Sequence, residues 1–253
     1  MATLTALGAA PATSGRRVCV PDVDLDLLDR LSPDHAQAAR RLLIARAERI
    51  PAGAWRPDAG AFGAEGAIGL LITSGLALRR VALAHRTGAE LLGPGDLLRP
   101  WQDDGAPAAY PFSSTWRVLE PLELAVLDAA FAARLARFPE LIGELVGRGV
   151  ARSRRLIGHL VVGQLTAVDQ RLLVAFWHLA DRWGRVRPDG VVVPVRLTHE
   201  SLGQIVGARR PSVTAALGRL AERGLVVGRP GGGWLLQGPP PEEFVSSGRD
   251  TGR

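Results

Sequence analysis

The stretch LTHESLGQIVGARRPSVTAALGRLAERGLV, residues 197–226, reads as two short helices joined by a tight turn. Thr198 suits the N-cap of the first helix, and Leu202, Ile205 and Val206 place apolar side chains on one face at helical spacing. Gly207 stops that helix. Pro211 fits the first turn of the second, whose buried stripe is Val213, Ala216, Leu217 and Leu220, and Gly224 ends it. Two helices separated by so short a turn make a helix-turn-helix.

Arg209 and Arg210 stand at the start of the second helix, where a recognition helix meets base edges and phosphates, and Ser212, Thr214 and Ala215 continue the same exposed side. An ordinary helical hairpin with two solvated arginines is the bland alternative. The segment that follows, LVVGRPGGGWLLQG, has two apolar runs around a Gly-rich turn, which predicts a β-hairpin and so a winged helix. Arg229 falls in the wing, where it can touch a phosphate backbone. The candidate DNA-contacting set is Thr198, His199, Arg209, Arg210, Ser212, Thr214 and Arg229, with Arg210 the base reader and His199 and Arg229 positioned for phosphate.

Charge follows the same division. All 31 basic residues are Arg, a usage that points to a GC-rich genome more than to chemistry, and it inflates the pI. From Arg148 onward there are 16 Arg against 8 acids, whereas residues 1–147 hold 15 against 17. The basic excess sits in the half with the helix-turn-helix, as a nucleic-acid partner for that half alone would require.

At 253 residues and 47% hydrophobic content the chain can bury one or two cores, and its length suggests two domains. No apolar run approaches the roughly 18 residues of a spanning helix, and the N-terminus lacks a continuous signal-like apolar region, so the expectation is a cytoplasmic protein with no membrane partner. The single Cys19 excludes an internal disulfide and a Cys-ligated cluster within one chain.

The N-terminal half has another texture. Residues 22–50 read as helical, through Leu25, Leu28, Leu31 and the Arg/Ala-rich run from Ala38 to Ile50, with Pro33 as punctuation. Short apolar runs follow at 67–73, 76–83, 90–92 and 116–126, separated by Gly75, Gly88 and the GPGD turn at 93–96, which predicts a small antiparallel barrel or jelly roll. Residues 138–163 then read as one long helix, with Ile142, Leu145, Gly149, Leu156 and Leu160 as its stripe. That stripe either packs on its own barrel or pairs with a twin in a homodimer; the dimer is favoured, because a two-fold pair presents two recognition helices to successive major grooves. The expected organisation is a flexible 1–21, an effector domain at 22–137, a dimerisation helix at 138–163, a winged helix at 164–238 and a flexible tail at 239–253. The fold class is α+β.

On the pattern LTxxxLGxxVGxxRxxVxxxLxxLxxxGLV at 197–226, and on LLGPGD with the Ile68 to Leu78 region, the chain resembles the Crp/Fnr family of transcriptional regulators. The resemblance runs from near Ala67 to near Gln237. It implies a cyclic-nucleotide-binding-like β-barrel, a dimerisation helix and a C-terminal winged helix that binds promoter palindromes and activates or represses transcription. Double-stranded DNA and a second copy are the partners it implies; RNA polymerase and a small-molecule effector are further partners it allows.

The departures from the family pattern are specific. Members that bind cyclic AMP carry Gly-Glu after the GD turn and Arg-Ser further on, whereas the first location here reads Arg99-Pro100, and Ser113-Ser114 stand where the phosphate-binding arginine belongs. A buried phosphate without a cation or a nest of N–H donors is strongly disfavoured. Leu156 and Ile157 occupy the long-helix positions that would read the base, and they offer no hydrogen bond. The effector pocket, outlined by Arg99, Trp101, Ser113, Ser114, Leu156 and Ile157, is thus expected not to take cyclic AMP. The cysteine-rich oxygen-sensing branch does not fit Cys19 alone, and haem would rest on His85. Pro211 and Ala215 replace a glutamate and an arginine of the familiar recognition helix, so the operator should differ.

Two readings of other classes compete. A cupin-like metalloenzyme needs clustered His and Glu, but the histidines at 35, 85, 159, 178 and 199 are scattered, so no catalytic residue, metal or cofactor is assigned and the protein is not expected to be an enzyme. Alternatively the winged helix serves protein contact; the Arg209-Arg210 pair argues against it.

Overall fold

A computed structural model describes residues 15–29, 31–58, 60–63, 65–84, 86–102 and 112–241. In chain order the elements are β1 (Arg17–Cys19), α1 (Val20–Val23), a 3-10 turn at Leu25–Leu28, α2 (Pro33–Leu42), β2 (Ile44–Ile50), β3 (Gly53–Trp55), β4 (Gly69–Leu83), β5 (Arg86–Leu92), β6 (Leu97–Leu98), a 3-10 turn at Pro100–Gln102, β7 (Ser113–Leu127) and α3 (Ala129–Leu135). There follow α4 (Pro139–Gly163), α5 (Val168–Trp183), β8 (Arg185–Arg187), β9 (Gly190–Val193), α6 (His199–Val206), α7 (Arg210–Glu222), β10 (Val226–Gly228) and β11 (Trp234–Leu236). The architecture is the expected α+β one. Two compact units divide the chain. The first draws on Met1–Ala77, Leu92–Ala106 and Trp116–Val150, the second on Leu78–Leu91, Pro107–Thr115 and Ala151–Arg253.

The larger antiparallel sheet has strand order β1-β2-β7-β4-β5, with β3 on β7 and β6 on β4. Both faces of its central strands are buried. Leu70 and Ile72 of β4 and Leu122, Leu124 and Val126 of β7 join one core with Trp55, Leu92, Leu98 and Trp116. Leu71, Ala125 and Leu127 point the other way, into a second core with Leu43, Phe131, Leu135, Phe138 and Leu141. Alternation across the pleat splits a continuous apolar run between two cores. Trp55 and Trp116 face each other across strands, with ring centroids 5.5 Å apart, so they are packing residues.

Three expectations change here. Residues 44–50, read as the end of a helix, form β2: it pairs with β1 and β7, Ala45 and Ala47 turn into the core, and Arg46 and Glu48 form an ion pair along one face. The helical propensity of Arg and Ala loses to sheet pairing. Gly75 and Gly88, read as separators, lie within strands, and β4 runs unbroken through Gly75 at φ +86°. At the N-terminus, Arg17–Cys19 pair with β2, so the segment expected to be mobile is tied down from Arg17; its first 14 residues, and the tail beyond 241, lie outside the described residues.

The GPGD turn forms as read. The buried Asp96 carboxylate accepts from Gly93 N at 2.9 Å, and Gly95, at φ +87°, donates to Ile72 O at 2.9 Å. Helix α3, which the sequence reading passed over, starts at Asp128, whose Oδ1 caps Phe131 N at 2.8 Å.

Helix α4 has two apolar faces. Leu141 and Leu145 are buried in the first unit's core, Leu145 to 5% exposure. Hence Leu145, placed on the dimer stripe from sequence, is spent on its own domain. The exposed apolar residues are Ile142, Val146, Val150, Leu156, Ile157, Leu160 and Val161. At about 100° per residue all of these but Leu156 fall in one arc, turned away from Leu141 and Leu145. The expected stripe is rotated by part of a turn.

Candidate nucleic-acid interface

The second unit holds the helix-turn-helix. Thr198 Oγ1 accepts from Ser201 N at 3.1 Å and lies 3.0 Å from Ser201 Oγ, which caps α6. Gly207 ends it in the left-handed conformation, φ +64° and ψ 41°, and Ala208 N closes the turn on Gly203 O at 2.8 Å. Gly203 has no room for a side chain there: a Cβ would meet Ala208 O at 2.5 Å. The turn therefore sits tightly against α6. Arg210 and Pro211 open α7, where the missing N–H of proline costs nothing.

Val213, Ala216, Leu217 and Leu220 are buried, as the stripe requires. At the far end Gly224 N bonds Ala221 O and Leu225 N bonds Leu220 O, both at 2.9 Å, with Gly224 at φ +65°. This is a Schellman closure. Asp169 in the first turn of α5 sits 3.8 Å from both Arg219 and Arg223, which ties α7 to the helix behind it.

Arg209, Arg210, Ser212, Thr214 and Ala215 are all exposed at the start of α7. His199 Nδ1 lies 2.8 Å from Thr214 Oγ1, which in turn donates to Arg210 O at 3.1 Å. Of the sequence candidates, then, Thr198 caps a helix, His199, Thr214 and Arg210 form one connected group, and Arg209 and Ser212 flank it. Arg229 is exposed in the β10–β11 turn, where its N bonds Gly233 O at 3.0 Å. The second sheet has strand order β10-β11-β9-β8, and Trp234 of the wing packs against the buried Phe176 of α5, ring centroids 4.9 Å apart and planes tilted by 47°.

Sequence reasoning missed two features of this unit. Hairpin β8–β9 precedes the helix-turn-helix, and its signal was the Arg-Pro-Asp-Gly turn before Val191–Val193. Arg171 is a positioning residue: it donates to Leu165 O at 2.6 Å and to Val206 O and Gly207 O at 3.3 Å each, so one guanidinium holds the end of α6 against the start of α5.

The effector candidates are divided between the two units. In the first unit Arg99 is exposed and Trp101 packs against the strand core. In the second, Ser114 accepts from Arg79 Nε at 3.4 Å, Leu156 lines a groove of about 610 Å³, and Ile157 is exposed outside it. That groove is also lined by Arg79, Glu90, His159, Leu160 and residues 204–207 of the helix-turn-helix. Glu90 is buried and takes two 2.7 Å bonds from Arg152. His159, half-buried and stacked on His178 at 6.0 Å, has its pKa lowered first by burial and next by the positive charge of His178. His85 lies outside the described residues.

Residues 170–237 match the Crp-like helix-turn-helix domain family. No curated protein matches the sequence. Among solved structures, a cyclic nucleotide-binding domain containing protein from Listeria monocytogenes is similar at 16% identity and TM-score 0.60, over 85% of this chain and 96% of that one. A CooA mutant from Carboxydothermus hydrogenoformans is similar at 17% identity and TM-score 0.57, over 77% and 84%. A CRP-family transcriptional regulator from Thermus thermophilus is similar at 20% identity and TM-score 0.52, over 75% and 91%.

The fold is a winged helix-turn-helix, with exposed arginines at the head of α7, together with an N-terminal β-sheet domain. Residues 170–237 are thus a Crp-like helix-turn-helix domain, and the similarity to the solved structures extends the fold over most of the chain. Among the described residues no helix is long and apolar enough to cross a membrane.

Proposed function

We propose that the protein works as a homodimer that reads a palindromic operator, with one α7 in the major groove of each half-site, and that cyclic AMP is not its effector. The observation that carries the DNA reading is the exposed pair Arg209 and Arg210 at the N-terminus of α7, the end of a recognition helix that reaches base edges. Arg210 is assigned a bidentate guanine contact. Arg209 and Ser212 take base or phosphate, and His199 and Arg229 take phosphate. Thr198 contributes by holding the first turn of α6.

The dimer reading is supported by the exposed apolar arc of α4, where Ile157 is 62% and Leu160 71% exposed. Such residues at helical spacing call for a partner. Against cyclic AMP stand Arg99-Pro100, the Ser113-Ser114 pair and the apolar Leu156 and Ile157. Arg79 does approach Ser114, but the buried Glu90 carboxylate lies 3.9 Å from its guanidinium, so a cyclic phosphate would have to displace a carboxylate.

The test is Arg210→Ala in competition binding. The variant should lose about 1–3 kcal/mol of discrimination between operator and mismatched DNA, with a smaller loss on non-specific DNA. Operator selectivity equal to that of the wild type would remove Arg210 from the site. Cyclic AMP should give no saturable thermal stabilisation; a strong one would overturn the pocket reading.

A further inference from the structure

The hydroxyl of Thr214 is already occupied. Its oxygen lies 3.1 Å from Arg210 O, which can only accept, and 2.8 Å from His199 Nδ1; with the hydroxyl proton on Arg210 O, the imidazole Nδ1–H is the donor to Thr214. A proton and a lone pair are thus committed within the protein. With its oxygen held by those two partners, the γ-methyl is the uncommitted part of the exposed Thr214 side chain.

The surroundings of that methyl are apolar too. Pro211, Ala215 and Gly218 are exposed beside Thr214 on the arc opposite Val213, Ala216 and Leu220. Between Arg210 and Ala221 the helix carries no Asn, Gln, Asp or Glu. Adenine is read by Asn or Gln and cytosine N4 by a carboxylate, so this stretch of α7 lacks the usual readers of both. Besides the Ser212 hydroxyl, what remains in the major-groove code is guanine for an arginine and the C5 methyl of thymine for an apolar contact.

Resting on the DNA-reader assignment above, we propose that the centre of the recognition surface selects thymine through its C5 methyl group, using the γ-methyl of Thr214 and the methyl of Ala215. His199 is the positioning residue that keeps the Thr214 hydroxyl turned away from DNA. A half-site is then read as guanine by Arg210 next to thymine by methyl contact.

The experiment starts by selecting operators from random DNA with the full-length protein, then replaces each thymine of the half-site by deoxyuridine. That change removes the methyl and leaves every hydrogen-bonding group. One or two positions should lose about three- to tenfold in affinity, the worth of one buried methyl. Thr214→Val, which keeps the methyl, should stay sensitive to deoxyuridine. Thr214→Ser should lose that sensitivity.

His199→Ala should weaken the thymine preference, and adding Thr214→Val should restore it, because valine has no hydroxyl to hold; a merely structural histidine would not be rescued in this way. Deoxyuridine without effect at every position would overturn the proposal, as would a Thr214→Ser protein that keeps thymine selectivity while Thr214→Val loses it. If no sequence is enriched at all, the DNA-reader assignment falls and this inference with it. If an operator is enriched but is blind to the methyl, only this inference falls.

Discussion

At the scale of single residues, glycines carry constraints that an alphabet of propensities does not express. Gly75 was legible as a turn-former but sits inside β4 at φ +86°, where a Cβ would come 2.1 Å from Pro121 O on the adjoining β7. Gly75→Ala should therefore destabilise the first unit by about 2 kcal/mol or more, read as a lower midpoint in urea unfolding; an unchanged midpoint would mean that β4 bends elsewhere. Gly207 and Gly224, by contrast, were legible because each lies just past an apolar stripe with helical period, where an αL residue is expected. The candidate DNA contacts were legible for the same reason, since their positions follow from helix phase. The roles within the group were not. Nothing in a linear sequence says that His199 and Thr214, 15 residues apart, share a hydrogen bond, or that Thr198 spends its oxygen on Ser201 N.

Elements show where period and propensity part company. The run from Leu43 to Ala47 alternates buried and half-buried side chains, yet Arg and Ala read as helix until β1 and β7 are there to pair with it. Helix α4 was legible in extent, but its phase was misjudged because two apolar faces overlap in one sequence and only packing assigns Leu145 to the domain core.

Its C-terminal part, in the second unit, carries a titrating group. His159 has charged neighbours in Glu90, Arg155 and Arg182, besides His178, and burial holds its folded-state pKa below the ordinary value of about 6.5. A depressed imidazole adds no pH dependence while both states are neutral. As pH falls below about 6.5 the unfolded chain takes up the proton first, so stability drops down to the folded pKa and then levels. The thermal midpoint should accordingly fall between pH 7.5 and 5.5, and His159→Phe should flatten part of that fall. Identical slopes for variant and wild type would show that His159 is not its source.

For the molecule as a whole, the composition already separated a basic, DNA-directed half from a near-neutral one, and the helix-turn-helix pattern located the reader within the basic half. The effector was not legible, because the residues that would grip a cyclic phosphate are replaced in this sequence. Assembly is the next level. If the exposed arc of α4 is the dimer seam, the pair Ile157→Glu and Leu160→Glu should shift the protein to monomer in sedimentation equilibrium while the far-ultraviolet spectrum is retained; a dimer that survives both charges would place the seam elsewhere.

Selection of bound DNA from a random pool, at two salt concentrations, tests the central claim most directly. The account predicts enrichment of two-fold symmetric sites whose half-site centres lie about one helical turn apart, or a multiple of it, with affinity that falls steeply as salt rises. A pool with no enriched sequence, or binding indifferent to salt, would contradict it.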